Sequence, residues 1–271
     1  MPLDSSEQLD FDALWNYDDP AATERRFRDL LPRAEHGADR SWHAQLLTQI
    51  ARAQGLQRKF AEAHATLDRA AALLTPELST ARIRYLLERG RVFNSAGQAE
   101  RAGALFHEAA EQAQSEQQDF YAVDALHMLA IVAPPAQQLD WNLRALALAE
   151  HSGQSRARSW LGSLYNNIGW THHAAGRYDQ ALEMFQSALR ERQAAGRAGP
   201  IRIARWSVAR AQRSLGQFED ALATQRELLA ELEAAGGRDG YMFEELAENL
   251  LALGQAGAAQ PYFALAYAEL S

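Results

Sequence analysis

Two clusters of side chains invite a search for chemistry: the adjacent pair His172 and His173, and the carboxylates Glu244, Glu245 and Glu248. Metal binding needs ligands that converge on one ion, and successive helical residues point about 100° apart, so the histidine pair cannot readily chelate. His172 reads instead as a packed, hydrogen-bonded histidine. The carboxylates include an i, i+4 pair, but no partner motif accompanies them and a solvated acidic face is the simpler expectation. The chain has no cysteine, which removes disulfides, thiolate ligands and cysteine nucleophiles together. No glycine-rich phosphate loop, GxSxG elbow or HExxH helix occurs. No catalytic residue, metal site or cofactor is therefore expected. What remains is the chemistry of recognition. Arginine offers a planar fork to carboxylates, asparagine pairs a peptide group through both donor and acceptor, and tryptophan anchors interfaces.

The elements that position such residues follow from a repeat. Small residues recur at Ala51, Gly90, Ala130, Gly169, Ala209 and Ala247, at steps of 39, 40, 39, 40 and 38 residues. The same steps give Ala63, Ala102, Asn142, Ala181, Ala221 and Ala259, and then Ala70, Ala109, Ala149, Ala188, Leu228 and Ala266. Where two antiparallel helices cross closely, only a methyl group or a hydrogen leaves room for the backbones. Larger apolar residues fill the space between layers, among them Leu67, Phe106, Leu146, Phe185 and Phe263. Gly97, Gly176, Gly216 and Gly254 sit seven residues after the first small site, where a left-handed residue ends a helix. A coiled coil would instead sustain a seven-residue period without regular glycine turns.

The segment from Asn166 to Leu189, NNIGWTHHAAGRYDQALEMFQSAL, with Gly169, Gly176, Tyr178, Ala181, Phe185 and Ala188 at the family's spacing, resembles a tetratricopeptide (TPR) repeat. The resemblance extends over residues 44–271. It implies an all-α fold, a right-handed α-α superhelix of six helix-turn-helix repeats (44–82, 83–122, 123–161, 162–201, 202–239 and 240–271) forming one continuous solenoid. Residues 1–43 are expected to hold an N-terminal segment and a capping helix, begun by Asp19-Pro20 and faced by Phe27, Leu30 and Leu31, with Phe11, Leu14 and Trp15 packed beside it. Repeats of 39 or 40 residues exceed the family's usual length, implying longer second helices. In this they look similar to kinesin light chains and to bacterial peptide-sensing regulators.

The resemblance further implies that the first helix of each repeat lines a concave groove. Its groove positions carry Arg52, Arg84, Arg91, His127, Asn166, Asn167, Trp170, His173, Trp206, Arg210 and Arg213. Glu88, Asp124, Glu244, Glu245 and Glu248 fall on the same positions. The lysine and asparagine pattern of a chaperone-tail clamp is not met, since only Asn167 matches it. The implied function is a protein- or peptide-binding scaffold whose ligand has acidic character, with a peptide-sensing regulator of a separate effector as the alternative.

Some features depart from the family's pattern. Pro134-Pro135 replace the turn glycine of repeat 3, Asn142 occupies a small-residue site, and Arg205 and Gln225 stand where apolar residues are usual. No capping helix follows repeat 6, so Leu253, Phe263, Tyr267 or Leu270 is expected on an apolar face that packs against a second subunit or a segment outside this sequence.

Composition agrees with a folded binding protein. Hydrophobic residues make up 47% and charged residues 23%, well clear of a disordered chain. A net charge of −8 argues against a general nucleic-acid partner. The acidic start MPLDSSEQLDFDALW is not a secretory signal, and the longest apolar stretch, Ala125 to Ala133, falls short of a membrane span. A cytoplasmic protein without membrane attachment is expected.

Overall fold

The small-residue period becomes a set of helical hairpins in the computed structural model, which describes residues 11–271. The chain divides into two compact units, the first ending at Arg158 and the second running from Ser159 to Ser271. In the first unit a short 3-10 turn, Phe11–Leu14, leads to α1 (Pro20–Asp29) and α2 (Leu31–His36). Three hairpins follow: α3 (Arg40–Leu56) with α4 (Phe60–Ala71), α5 (Ser79–Ser95) with α6 (Ala99–Ser115), and α7 (Asp119–Val132) with α8 (Pro135–His151). The four-residue α9 (Ser155–Arg158) closes the unit. In the second unit α10 (Leu161–Ala174) pairs with α11 (Tyr178–Ala195), α12 (Ala198–Ser214) with α13 (Phe218–Ala234), and α14 (Gly240–Ala252) with α15 (Ala256–Leu270).

All eighteen positions of the small-residue period are buried. The reason is visible where Phe106 and Phe185, both fully buried, lie directly over Gly90 and Gly169. The ring on the second helix takes the volume that a side chain on the first would need. The added length of the repeats sits in the helices, with α6, α8 and α13 at 17 residues and α11 at 18. Repeat 1 is the exception, its α4 having only 12 residues.

Helix starts and stops follow capping chemistry. The Asp19 side chain accepts from Ala22 N at 2.8 Å and Pro20 opens α1, as the sequence predicts. Gly97 ends the α5 hairpin turn at φ 77°, with Gln98 N donating back to Phe93 O at 2.9 Å, and Gly176, Gly216 and Gly254 repeat that conformation. Repeat 3 uses a different stop: Ala133 and Pro134 are extended and Pro135 begins α8.

Repeat 1 reaches the left-handed turn without glycine. Arg58, exposed and at φ 62°, occupies it. An L-residue there suffers a steric penalty that glycine escapes, though glycine forfeits some entropy on folding. Arg58→Gly is expected to stabilise the first unit by about 0.5–1 kcal/mol, read as a higher urea midpoint. A lower midpoint would show that the arginine itself holds the turn.

Departures from the pattern have local accounts. Asn142 is buried, donates to Gln138 O at 3.1 Å and leaves Oδ1 without a partner among the described residues. Arg205 reaches outward to Glu231 and Glu227 of α13, at 2.6 and 2.7 Å. Gln225 is fully buried with neither amide atom paired, and nothing in the structure explains it. At the chain's end Leu253 and Phe263 pack against a core that the last hairpin shares with Leu222 and Leu229 of α13, while Tyr267 and Leu270 are exposed.

Candidate functional site

The expected groove residues fall on the first helices of the hairpins, α3, α5 and α7 in the first unit and α10, α12 and α14 in the second. Within each unit these helices pack side by side. Most of the arginines that sequence alone offered to a ligand are engaged by the protein itself.

In the first unit, Glu88 on α5 is almost fully buried and accepts from Arg52 of α3 at 3.1 Å and from Arg91 at 2.8 Å. Arg91 reaches on to the buried Asp124 of α7. Burial depresses the Arg52 pKa, but the neighbouring Glu88, Tyr17 and Asp124 together raise it above its ordinary value, so the guanidinium stays charged. Arg84 is buried, donates to Gln45 Oε1 at 3.2 Å, and lies over the rings of Phe11 and Tyr121. His127 is half-buried, and burial, assisted by Arg91 and opposed by Asp124, holds its pKa below the usual value. A pocket of about 170 Å³ opens beside Arg52 and Arg91, walled by Leu56, Val92, Asn94 and Met128.

The second unit repeats this logic. Glu245 on α14, one of the carboxylates expected to be solvated, is buried to 3% exposure. Arg210 Nε donates to it at 3.0 Å and Arg213 Nε at 2.8 Å. Only Glu244 of that trio is fully exposed, while Glu248 lies 3.6 Å from Arg213. The i, i+4 pair visible in sequence, Glu244 and Glu248, is not buried, and the burial of Glu245 between them depends on the neighbouring helix.

His173 Nε2 lies 2.9 Å from Ser214 Oγ, and Arg210 donates to that hydroxyl at 3.0 Å. Burial, then Arg210 and Arg213, hold the His173 pKa down, which keeps it neutral near pH 7. His172 is half-buried rather than enclosed and accepts from Arg177 Nε at 2.9 Å. Asn166 Oδ1 accepts weakly from Ser207 Oγ at 3.4 Å, while the backbone carbonyl of Asn167 accepts from Thr171 Oγ1. Both asparagine side chains are half-buried.

The aromatic pair comes together as a site. The rings of Trp170 and Trp206 are 5.8 Å apart, and Trp170 also rests on Phe185 and His173. Trp206 packs on Leu228, Leu232 and Met242, yet its buried indole N–H has no acceptor among the described residues. It forms one wall of a pocket of about 330 Å³ completed by Arg202, Ile203, Asp239, Tyr241 and Met242. Arg202 has no ion pair among the described residues, in contrast to Arg210 and Arg213. The sequence reading missed Arg202, Asp239 and Met242, because this pocket lies between two helix starts about forty residues apart in the chain.

Among the described residues no group of three or more histidines, aspartates and glutamates is placed to hold a metal ion, and no helix is long and apolar enough to cross a membrane.

These features define a protein of paired-helix repeats that present polar and aromatic side chains from their first helices. Residues 161–234, which hold α10 to α13, match the tetratricopeptide-repeat family model, and the chain shares the fold of solved TPR proteins. No curated protein matches the chain in sequence. The apo form of RapI is similar in structure at a TM-score of 0.71 and 12% identity, covering 93% of this chain and 71% of RapI. BtubC (BKLC) from P. vanneervenii is similar at 0.63 and 14% identity, over 85% of this chain and 94% of that one. NprR in complex with its cognate peptide NprX is similar at 0.55 and 15% identity, over 94% of this chain and 76% of NprR.

Proposed function

We propose that this protein is a peptide-binding scaffold, not an enzyme, and that the second unit engages a ligand side chain in the pocket beside Trp206. The observation that carries the reading is the pocket's composition. Ile203 and Tyr241 are large apolar residues left exposed at its rim, Trp206 and Met242 form its wall, and Arg202 supplies a cation that makes no ion pair among the described residues, the lining's one carboxylate, Asp239, capping α14. A buried donor without an acceptor costs about 1–3 kcal/mol, so the Trp206 indole is poorly explained by stability alone. An apolar ligand side chain with a carboxylate close by would suit both parts of the pocket. Arg52, Arg91, Arg210 and Arg213 already face buried carboxylates, so this reading assigns them to holding the helices in register.

Selection of peptides from a random display library against the whole protein tests the reading. For an enriched peptide, Trp206→Ala is expected to weaken affinity at least tenfold, about 1.4 kcal/mol, while the helical circular dichroism is unchanged. Arg205→Ala, on the outward side, serves as a control with unchanged affinity. Equal enrichment by the wild-type and Trp206→Ala chains would remove Trp206 from the site. Similarity to RapI and to peptide-bound NprR favours a second reading, a peptide-sensing regulator of a separate effector. It would be supported if the selected peptide changed the protein's affinity for a co-purifying partner, and refuted if peptide and partner bound independently.

A further inference from the structure

We propose that residues 11–17 of this chain are an internal ligand of the first unit, seated on the inner helices α3 and α5 where an aromatic peptide from a partner binds in exchange. This rests on the reading of the first-helix faces as peptide-binding surfaces. The segment FDALWNY places three aromatic rings along α3. Phe11 stacks on Trp42, 5.9 Å between centroids, and faces the guanidinium of Arg84 on α5 at 5.4 Å. Trp15 donates its indole N–H to Gln49 Oε1 at 2.9 Å, and Arg52 lies 5.7 Å from the rings of both Trp15 and Tyr17. Thus one end of the segment meets the start of α3 and the other reaches Arg52 near its end. Gln49 and Arg84 are buried in this arrangement.

Phe11 anchors the segment in the cap's core with Phe27 and Trp42, and Asn16 exchanges hydrogen bonds with Thr23 of α1, so the exchangeable part is the stretch that carries Trp15 and Tyr17. Apart from the short 3-10 turn the segment has no regular structure, and it engages α3 and α5 through side chains: one hydrogen bond and a series of ring and cation–π contacts. Each cation–π contact contributes only about 0.5–2 kcal/mol. Tyr17 is 60% exposed, so the grip is loosest at that end. Past Tyr17 the face continues into the pocket beside Arg52, Leu56, Arg91 and Met128, which the segment does not line. An incoming peptide with two aromatic residues spaced like Trp15 and Tyr17 could take the contacts at Gln49 and Arg52 and add that pocket while Phe11 stays in the core. Tethering gives the internal segment an effective concentration of order millimolar, so weak competitors are excluded.

The test uses the whole protein and a fluorescein-labelled synthetic peptide of residues 10–19, DFDALWNYDD. The Trp15→Ala/Tyr17→Ala chain, which keeps Phe11 in the core, is expected to bind this peptide at least tenfold more tightly than wild type. Should that variant lose its fold, the wild-type protein provides a second readout: saturating unlabelled peptide is expected to accelerate amide exchange at residues 11–17. Equal binding by folded wild type and variant, or unchanged exchange at residues 11–17, would overturn the proposal. So would a wild-type dimer that forms by exchanging the segment between copies. Loss of this effect beside intact Trp206-dependent binding would remove this inference alone.

Discussion

Phe185→Ala is expected to remove about 3–5 kcal/mol from the stability of the second unit, the range for deleting a large aromatic side chain from a packed core. The ring is fully buried, packs with Trp170, Leu182 and Val208, and bridges α11 to α10 and α12. A native domain holds only about 5–15 kcal/mol in all, so the variant will lie near its unfolding threshold. The mechanism can be separated from a general loss of apolar burial. A Cβ added at Gly169 would lie 2.5 Å from the Phe185 ring, so Gly169→Ala alone is expected to cost about 1–3 kcal/mol through overpacking. With the ring already removed, the same change fills part of the cavity and gains helix propensity of about 0.5–1 kcal/mol. Urea unfolding of the two single variants and the double variant therefore forms a cycle with strong coupling. Independent, additive losses would show that the glycine is not there for the ring.

That pair also marks what the sequence makes legible. Gly169 and Phe185 stand out because their equivalents recur every 39 or 40 residues, and repetition turns a weak local signal into a strong one. Hairpins, turns and the buried small-residue positions all follow from that period. The state of individual charged groups does not. Glu244 and Glu245 are neighbours of one type, yet one is solvated and the other enclosed, because α12 brings two arginines over only one of them. Nor does the period extend to residues 11–17, whose rings meet α3 and α5 from outside the repeats. Phe11 and Trp15 were legible as apolar residues to be packed beside a capping helix. Their seat at Gln49, Arg52 and Arg84 depends on the path of the chain before α1, which no repeat dictates.

Glu245→Gln carries the second large expected effect, a loss of about 2–3 kcal/mol. Breaking a fully buried ion pair costs about 3–5 kcal/mol because the remaining charge stays desolvated. Here the stranded Arg210 and Arg213 side chains keep 27% and 19% exposure, so water and Glu248 recover part of that cost. Glutamine preserves the shape and one acceptor, which confines the change to the charge and its second acceptor. Arg205→Ala provides the contrast. Arg205 makes two shorter ion pairs, but Glu227 and Glu231 are 68% and 54% exposed, and such pairs contribute about 0–1 kcal/mol. Burial, not ion-pair length or number, should therefore order the two variants in urea unfolding. A larger loss from Arg205→Ala than from Glu245→Gln would overturn that ordering. The same substitution also alters recognition, since Glu245 neutralises one of two adjacent cations on the inner face of the second unit. Once that carboxylate is gone, acidic peptides should bind Glu245→Gln more tightly than wild type, with a steeper salt dependence. Stability and electrostatic selectivity are thus set by one buried anion, and they should move in opposite directions when it is neutralised.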